Sequence, residues 1–157
     1  MDFTIETVEQ HQLTAVQAVR ELWSECWTLA GLAPEFQNFQ QELLTLPGVY
    51  TPPDGLLLLA RIDGAPAGTA AFRPLAAGAC EAKRLYVRSE FRRRGIAAAL
   101  LAKIVEGARS SGYRTMYGDT LPAMATALDM YRRIGFEEVG PYSSRPTPGA
   151  IYLRLTL

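Results

Sequence analysis

Residues Glu90 to Ile104 read EFRRRGIAAALLAKI: three consecutive arginines, a glycine, then an apolar stretch with helical character. A helix that starts at such a turn leaves its first backbone N–H groups without intrahelical acceptors. Glycine lets the backbone come close to a ligand there. Together with the positive end of the helix dipole and the adjacent arginines, these donors make an anion site suited to a pyrophosphate. Taken alone, the loop fits equally well as a solvated basic face in which Gly95 serves only the turn. Two familiar phosphate loops are excluded, because neither GxxxxGK followed by Ser or Thr nor GxGxxG after a first strand occurs.

Other chemistries drop out by residue type. His11 is the single histidine, so a His-rich zinc site or an HExxH helix cannot be assembled. A Ser-His-Asp hydrolase would rest on that one residue, and no GxSxG accompanies it. The polar setting of His11 marks it as a surface residue at a helix start. Cys26 and Cys80 lie far apart and outside any CxxC pattern, which reads as buried free thiols in a reducing cytoplasm. The apolar run Gly55–Ala60 is too short to cross a bilayer, and MDFTIETVEQ lacks the basic and apolar regions of a secretory signal. A cytoplasmic protein without membrane association is the expectation.

Net charge is zero, yet it is unevenly spread. Residues 1–60 carry one basic side chain, Arg20, against eight acidic ones; residues 61–157 carry fifteen against eight, and six of the fifteen lie between Lys83 and Arg94. Such a local field says more about partners than the overall charge does. A nucleic-acid role would need this cluster on an exposed face beside stacking aromatics. The acidity of the first sixty residues argues against it, so no nucleic-acid partner is expected.

The elements that must position these residues follow from periodicity. Asp2–Val8 alternates as a first strand, and Leu13, Val16, Val19, Leu22, Cys26 and Leu29 recur at helical spacing until Gly31. A second helix is predicted from about Glu35 to Leu44. LLLLARIDGAPAGTAAFRPL reads as two strands across Asp63-Gly64, a strong hairpin signal. Cys80–Val87 alternates as a central strand. A long helix is expected from about Gly95 to Ser110, with Ala97, Leu100, Leu101, Ile104, Val105 and Ala108 on its buried face. RTMYGDT then reads as a strand, PAMATALDMYRRIG as a helix, FEEVGPY as a strand and IYLRLTL as the last strand. The result is one α/β domain with roughly seven strands.

The stretch CEAKRLYVRSEFRRRGIAAALL, followed by GYRTMYGDTLPAMATALDMYRRIGFEEVGPY, resembles the GNAT superfamily of N-acetyltransferases, most closely from Cys80 to Tyr142. The family's acyl-CoA loop, Gln/Arg-x-x-Gly-x-Gly/Ala, maps onto Arg92-Arg93-Arg94-Gly95-Ile96-Ala97. Its tyrosine-bearing helix and following Gly-Phe strand map onto LDMYRRIGF. The N-terminal helix pair and the PGAIY ending look like one bacterial branch of small, stand-alone members. The resemblance implies a GNAT-like α/β fold: a mixed, mostly antiparallel sheet of about seven strands flanked by about four helices, in one domain over residues 1–157. It also implies acetyl transfer from acetyl-CoA to a primary amine, on a small-molecule or amino acid-like acceptor, by direct transfer in a ternary complex without a metal. A homodimer is left open. A non-catalytic acyl-CoA sensor or partner-binding module is the alternative.

Site residues carry over by position. The strand Leu85-Tyr86-Val87 is expected to offer backbone groups to the pantetheine arm and the thioester carbonyl. Arg93, Arg94, Gly95, Ile96, Ala97 and Ala98 are expected to hold the pyrophosphate, with the surplus arginines Arg92 and Arg88 facing either the cofactor's other phosphate or solvent. Tyr131 matches the tyrosine that donates a proton to the leaving sulfur, a task suited to a phenol that stays protonated at neutral pH. Its helical spacing from Met124, Ala127, Leu128 and Ile134 would equally suit the core. Glu81 stands where several members place a general base, and would otherwise only pair with an arginine. Two positions depart from the pattern: Met124 replaces a common asparagine, and Arg93 a common glycine. In this fold Trp23, Trp27, Phe36, Phe39, Tyr50 and the segment Tyr142–Pro148 are expected to wall the acceptor, with Arg145 suited to a carboxylate.

Overall fold

The computed structural model describes residues 2–33, 38–121, 125–143 and 146–157. Along the chain come β1 (Phe3–Thr7), α1 (Leu13–Leu29), α2 (Phe39–Leu44), β2 (Leu56–Ile62), β3 (Ala65–Ala76), β4 (Ala79–Val87), α3 (Ile96–Ser110), β5 (Thr115–Thr120), α4 (Ala125–Ile134), β6 (Glu137–Val139) and β7 (Ile151–Thr156). The strands form one seven-stranded sheet in the order β1-β2-β3-β4-β5-β7-β6. Five of its ladders are antiparallel, and β4–β5 is parallel. The mixed sheet and flanking helices match the expected architecture.

Local chemistry accounts for the elements. Asp63 (φ 49°) and Gly64 (φ 82°) both take positive φ, as the two-residue turn joining β2 to β3 requires. The alternation in β2 divides the core: Leu58, Ala60 and Ile62 pack with α3, whereas Leu57 and Leu59 pack with α1. On α3 the buried face is Ile96, Leu100, Leu101, Ile104, Val105 and Ala108. Full burial of each larger aliphatic side chain contributes roughly 1.5–3 kcal/mol. Tyr131 on α4 and Phe136, two residues past its end, join the same layer.

Three expectations shift. The second helix begins at Phe39, the preceding residues 34–37 lying outside the described ones. Strand β6 stops at Val139 rather than running to Tyr142. The expected aromatic rim is mostly core: Trp23, Phe39 and Tyr50 are buried between α1, α2 and the sheet, because helical spacing marks a buried face without telling a cleft from a core. Phe36 lies outside the described residues. His11 is exposed ahead of α1, and the two cysteines are free, Cys80 buried and Cys26 partly so.

The feature that positions the site is a split between β4 and β5. Their parallel pairing runs only from Ala79↔Thr115 to Glu81↔Tyr117. Beyond it β4 carries a bulge, since three steps from Lys83 to Tyr86 oppose two from Ala71 to Thr69, with Arg84 at φ 60°. An inserted residue bends and twists its strand. It also reverses the side-chain parity: Cys80 and Ala82 face α3 before the bulge, and Tyr86 faces α1 after it. The second half of β4 thus leaves β5, and its backbone on that side has no strand partner among the described residues.

Candidate active site

Two hollows meet at this split. One is a groove of about 510 Å³ bounded by the second half of β4, the turn Ser89–Phe91, the start of α3 and one side of α4. It collects nearly the whole expected cofactor set: Leu85, Tyr86, Val87, Arg92, Arg93, Gly95, Ile96, Ala97 and Ala98. Phe91, Ala127 and Met130 complete its wall, and their apolar side chains carried no signal in the sequence. Arg94 is turned elsewhere, its guanidinium 3.0 Å from the Asp2 carboxylate on the surface. Arg88 is likewise engaged, by Glu25 of α1 at 2.8 Å.

The groove's polar end is backbone. The Arg92 N–H donates to Ser89 O, and the next amide with a backbone acceptor is Ala99, to Gly95 O. The successive amides from Arg93 to Ala98 have no backbone acceptor among the described residues, as the first turn of a helix dictates. Arg93 (φ 65°) and Gly95 (φ 82°) hold this curl with positive φ, and a Cβ built on Gly95 would meet nothing within 4 Å. Open space beside Gly95, N–H groups without backbone acceptors and a helix N-terminus give this end of the groove the chemistry that suits an anion. The Arg92 Nε donates to Val87 O at 3.1 Å, tying the loop to β4.

The second hollow, about 90 Å³, shares Leu85 and Ala127 with the groove and lies on the far side of them. Its wall includes Cys26, Trp27, Lys83, Arg84, Asp119, Thr120, Tyr131 and Thr147. Trp27 is thus the expected rim aromatic that does reach a cavity. Tyr131 is 5% exposed, packed edge-on against Phe136, and its hydroxyl makes no hydrogen bond among the described residues. Burial above all, then the nearby Asp119 and Cys26, push its pKa well above the ordinary phenol value. Burial also raises the Cys26 thiol, against Arg84 and Arg92.

Glu81 lies behind this wall, in a dense polar cluster. Arg73 Nε donates to one carboxylate oxygen at 3.2 Å and the Tyr142 hydroxyl donates to the other at 2.6 Å, with Lys83 Nζ 3.9 Å away. Glu42 of α2 forms a second centre: Arg84 Nε and Nη2 reach its Oε1 at 3.1 and 2.8 Å, and the Tyr50 hydroxyl donates to its Oε2. The Arg84 guanidinium also lies over the Trp27 ring, 4.6 Å from its centroid. This clamp fastens α2 to the bulge. Lys83, Arg84, Glu42 and Asp119 were not singled out in the sequence, and Tyr142 only as the start of the segment expected to wall the acceptor. The signal for Lys83 was its parity with Glu81 within an otherwise apolar central strand. Met124 and Arg145 lie outside the described residues.

A bulged strand thus parts from a parallel neighbour, with the unpaired amides of a helix start on one side of the split and a buried tyrosine on the other. A profile of the acetyltransferase (GNAT) family matches residues 16–136, and the chain belongs to that family. It is 36% identical over 129 residues to an uncharacterised N-acetyltransferase of Schizosaccharomyces pombe, covering 81% of this chain and 79% of that one. It is 30% identical over 156 residues to an IAA acetyltransferase of Azospirillum brasilense, covering 98% and 97%. Its fold is similar to that of the PaiA N-acetyltransferase of Thermoplasma acidophilum, solved in complex with coenzyme A, with a TM-score of 0.76 at 17% identity over all of both chains. The protein is an acyl-CoA-dependent acetyltransferase whose cosubstrate is acetyl-CoA. Among the described residues no helix is long and apolar enough to cross a membrane.

Proposed function

We propose that the chain moves the acetyl group of acetyl-CoA directly onto the primary amine of a small, amino acid-like molecule while both are bound, and that residues 1–157 act as one domain in doing so. The observation that carries this reading is the meeting of the two hollows at Leu85 and Ala127, with the Tyr131 side chain on the wall of the inner one. A thioester entering from the groove and an amine entering the hollow then come together without a protein carrier. Cys26 is the cysteine on that wall, and its raised pKa keeps it a thiol, unsuited to carry an acyl group.

In this reading the amides from Arg93 to Ala98 hold the pyrophosphate, with Arg92 and Arg93 beside them. The free edge of Leu85-Tyr86-Val87 offers backbone groups to the pantetheine arm and to the thioester oxygen. Preorganised donors of that kind are worth roughly 3–4 kcal/mol where one has been removed. Tyr131, protonated throughout the neutral range, gives its proton to the sulfur as the C–S bond breaks. The proton leaving the amine as the N–C bond forms passes to Glu81 through an intervening water, because Glu81 has no face on the hollow. Arg94 acts only through its long-range field.

The test is thiol release from acetyl-CoA against a panel of amines, amino acids, polyamines and peptides, with both substrates varied. Intersecting initial-rate lines are expected. Parallel lines would contradict direct transfer, and thermal stabilisation by acetyl-CoA without turnover on any acceptor would favour the sensor reading.

A further inference from the structure

Lys83 and Asp119 have no task in the chemistry above, and both face the inner hollow. The parallel register that sets Glu81 beside Tyr117 would bring Lys83 level with Asp119 two residues on. The strands have parted by then, so the two charges look across the split without forming an ion pair. Lys83 is an unusual lysine: its side chain is 7% exposed, its ammonium makes no hydrogen bond among the described residues, and its nearest carboxylate oxygen is 3.9 Å away on Glu81. That oxygen already accepts from Tyr142, and the other end of the carboxylate is held by Arg73. Glu42, a further acid on this side, is taken by Arg84 and Tyr50. Asp119 has neither a hydrogen bond nor an ion pair among the described residues.

Buried charges persist at a large desolvation penalty unless something pairs with them. Here a buried cation and a half-buried anion, both with unused hydrogen-bonding capacity, bracket one small hollow next to Tyr131. We infer that Lys83 and Asp119 form a two-point site for a zwitterionic acceptor, Lys83 binding its carboxylate and Asp119 its amino group. The acceptor class is then an amino acid or a comparably short amino-carboxylate, with its nitrogen on the Asp119 side, where Tyr131 also lies. An amine without an anion would leave the buried Lys83 ammonium only the Glu81 carboxylate, 3.9 Å away and already engaged by Tyr142 and Arg73. The inference rests on the amine-acetylation reading and narrows it.

The experiment compares the twenty common amino acids with their carboxamides, by calorimetric binding to the coenzyme A complex and by kcat/KM with acetyl-CoA. A charge-assisted hydrogen bond in a buried site discriminates by about tenfold to a hundredfold. At least one amino acid should therefore bind and turn over better than its amide by that factor. Lys83→Met should erase the preference while leaving the KM for acetyl-CoA unchanged; Lys83→Arg should retain it. Asp119→Asn should weaken amino acid and amide alike, since both carry the amino group. Circular dichroism confirms that each variant is folded. Amides turned over as well as amino acids, or a preference that survives Lys83→Met, would overturn the site while leaving the acetyltransferase reading intact. Binding preference without turnover would support the site and refute amine acetylation. No binding by any amino acid would overturn the inference.

Discussion

Replacing Gly95 with alanine separates what the backbone contributes from what the arginines contribute. Gly95 stands at φ 82° in front of α3, and a Cβ there meets no atom within 4 Å. The variant therefore folds, with only conformational strain. Left-handed backbone costs an L-residue about 1–2 kcal/mol, of which the stiffer unfolded chain returns roughly 0.4–1. A net loss of about 1 kcal/mol lowers Tm by roughly 2–4 °C in a chain of this size. The effect on the ligand is larger. A methyl and a shifted turn beside the amides from Arg93 to Ala98 should cost the ligand one charge-assisted hydrogen bond, weakening binding by about 1.5–3 kcal/mol. That is a tenfold to hundredfold rise in Kd for coenzyme A, read by calorimetry at fixed ionic strength. Arg94→Ala is the companion: it removes an exposed ion pair with Asp2, worth about 0.2–1 kcal/mol to stability, and should change the Kd by less than about threefold. The reasoning is refuted if Arg94→Ala weakens binding as much as Gly95→Ala, or if Gly95→Ala binds as wild type does.

Three further outcomes follow from the same geometry. Tyr131→Phe should lower kcat by on the order of a hundredfold or more while the Kd for coenzyme A changes little. Because its raised pKa keeps the phenol protonated, the wild-type pH profile of kcat should show no alkaline fall attributable to this tyrosine below about pH 10; an alkaline limb that Tyr131→Phe removes would contradict the role. Lys83→Met should raise Tm by roughly 2–4 °C at neutral pH, since Glu81 keeps Arg73 and Tyr142 and a poorly solvated charge is gone. Burial first, then Arg84, lowers the Lys83 pKa in the folded protein, so wild-type stability gains as pH rises from that lowered value towards 10.5, and the variant should lack this gain in pH-dependent melts. Glu42→Ala should lose about 3–5 kcal/mol in denaturant unfolding, because it strands the Arg84 guanidinium, whose side chain is 9% exposed; a loss under 1 kcal/mol would remove the clamp from the account.

How much of this was legible in the sequence depended on the range of the cause. Asp63-Gly64 announced its hairpin because positive φ at two consecutive residues is a local demand. The buried stripe of α3 and the unpaired amides at its start were readable for the same reason, since helix periodicity and a first turn need no distant partner. The bulge was not. EAKRLYV alternates like an unbroken strand, and the positive φ at Arg84 reflects the Glu42 carboxylate and the Trp27 and Phe39 rings, which come from distant segments. Because the bulge opens the split, the inner hollow was invisible with it, and so was the confrontation of Lys83 with Asp119. The aromatic residues failed for a related reason: Trp23 and Tyr50 sit edge-to-face in the core, and nothing in their spacing distinguished that from a cleft rim. Glu81 was found by position, while its company of Arg73, Tyr142 and Lys83 depended on the tertiary fold.

A crystal structure of the protein with coenzyme A bound tests the central claim most directly. The account predicts pyrophosphate oxygens accepting from amides between Arg93 and Ala98, the pantetheine arm along Leu85-Tyr86-Val87 in the split, and the sulfur within about 3–4 Å of the Tyr131 hydroxyl. A pyrophosphate seated away from the start of α3, or a sulfur out of reach of Tyr131, would contradict it.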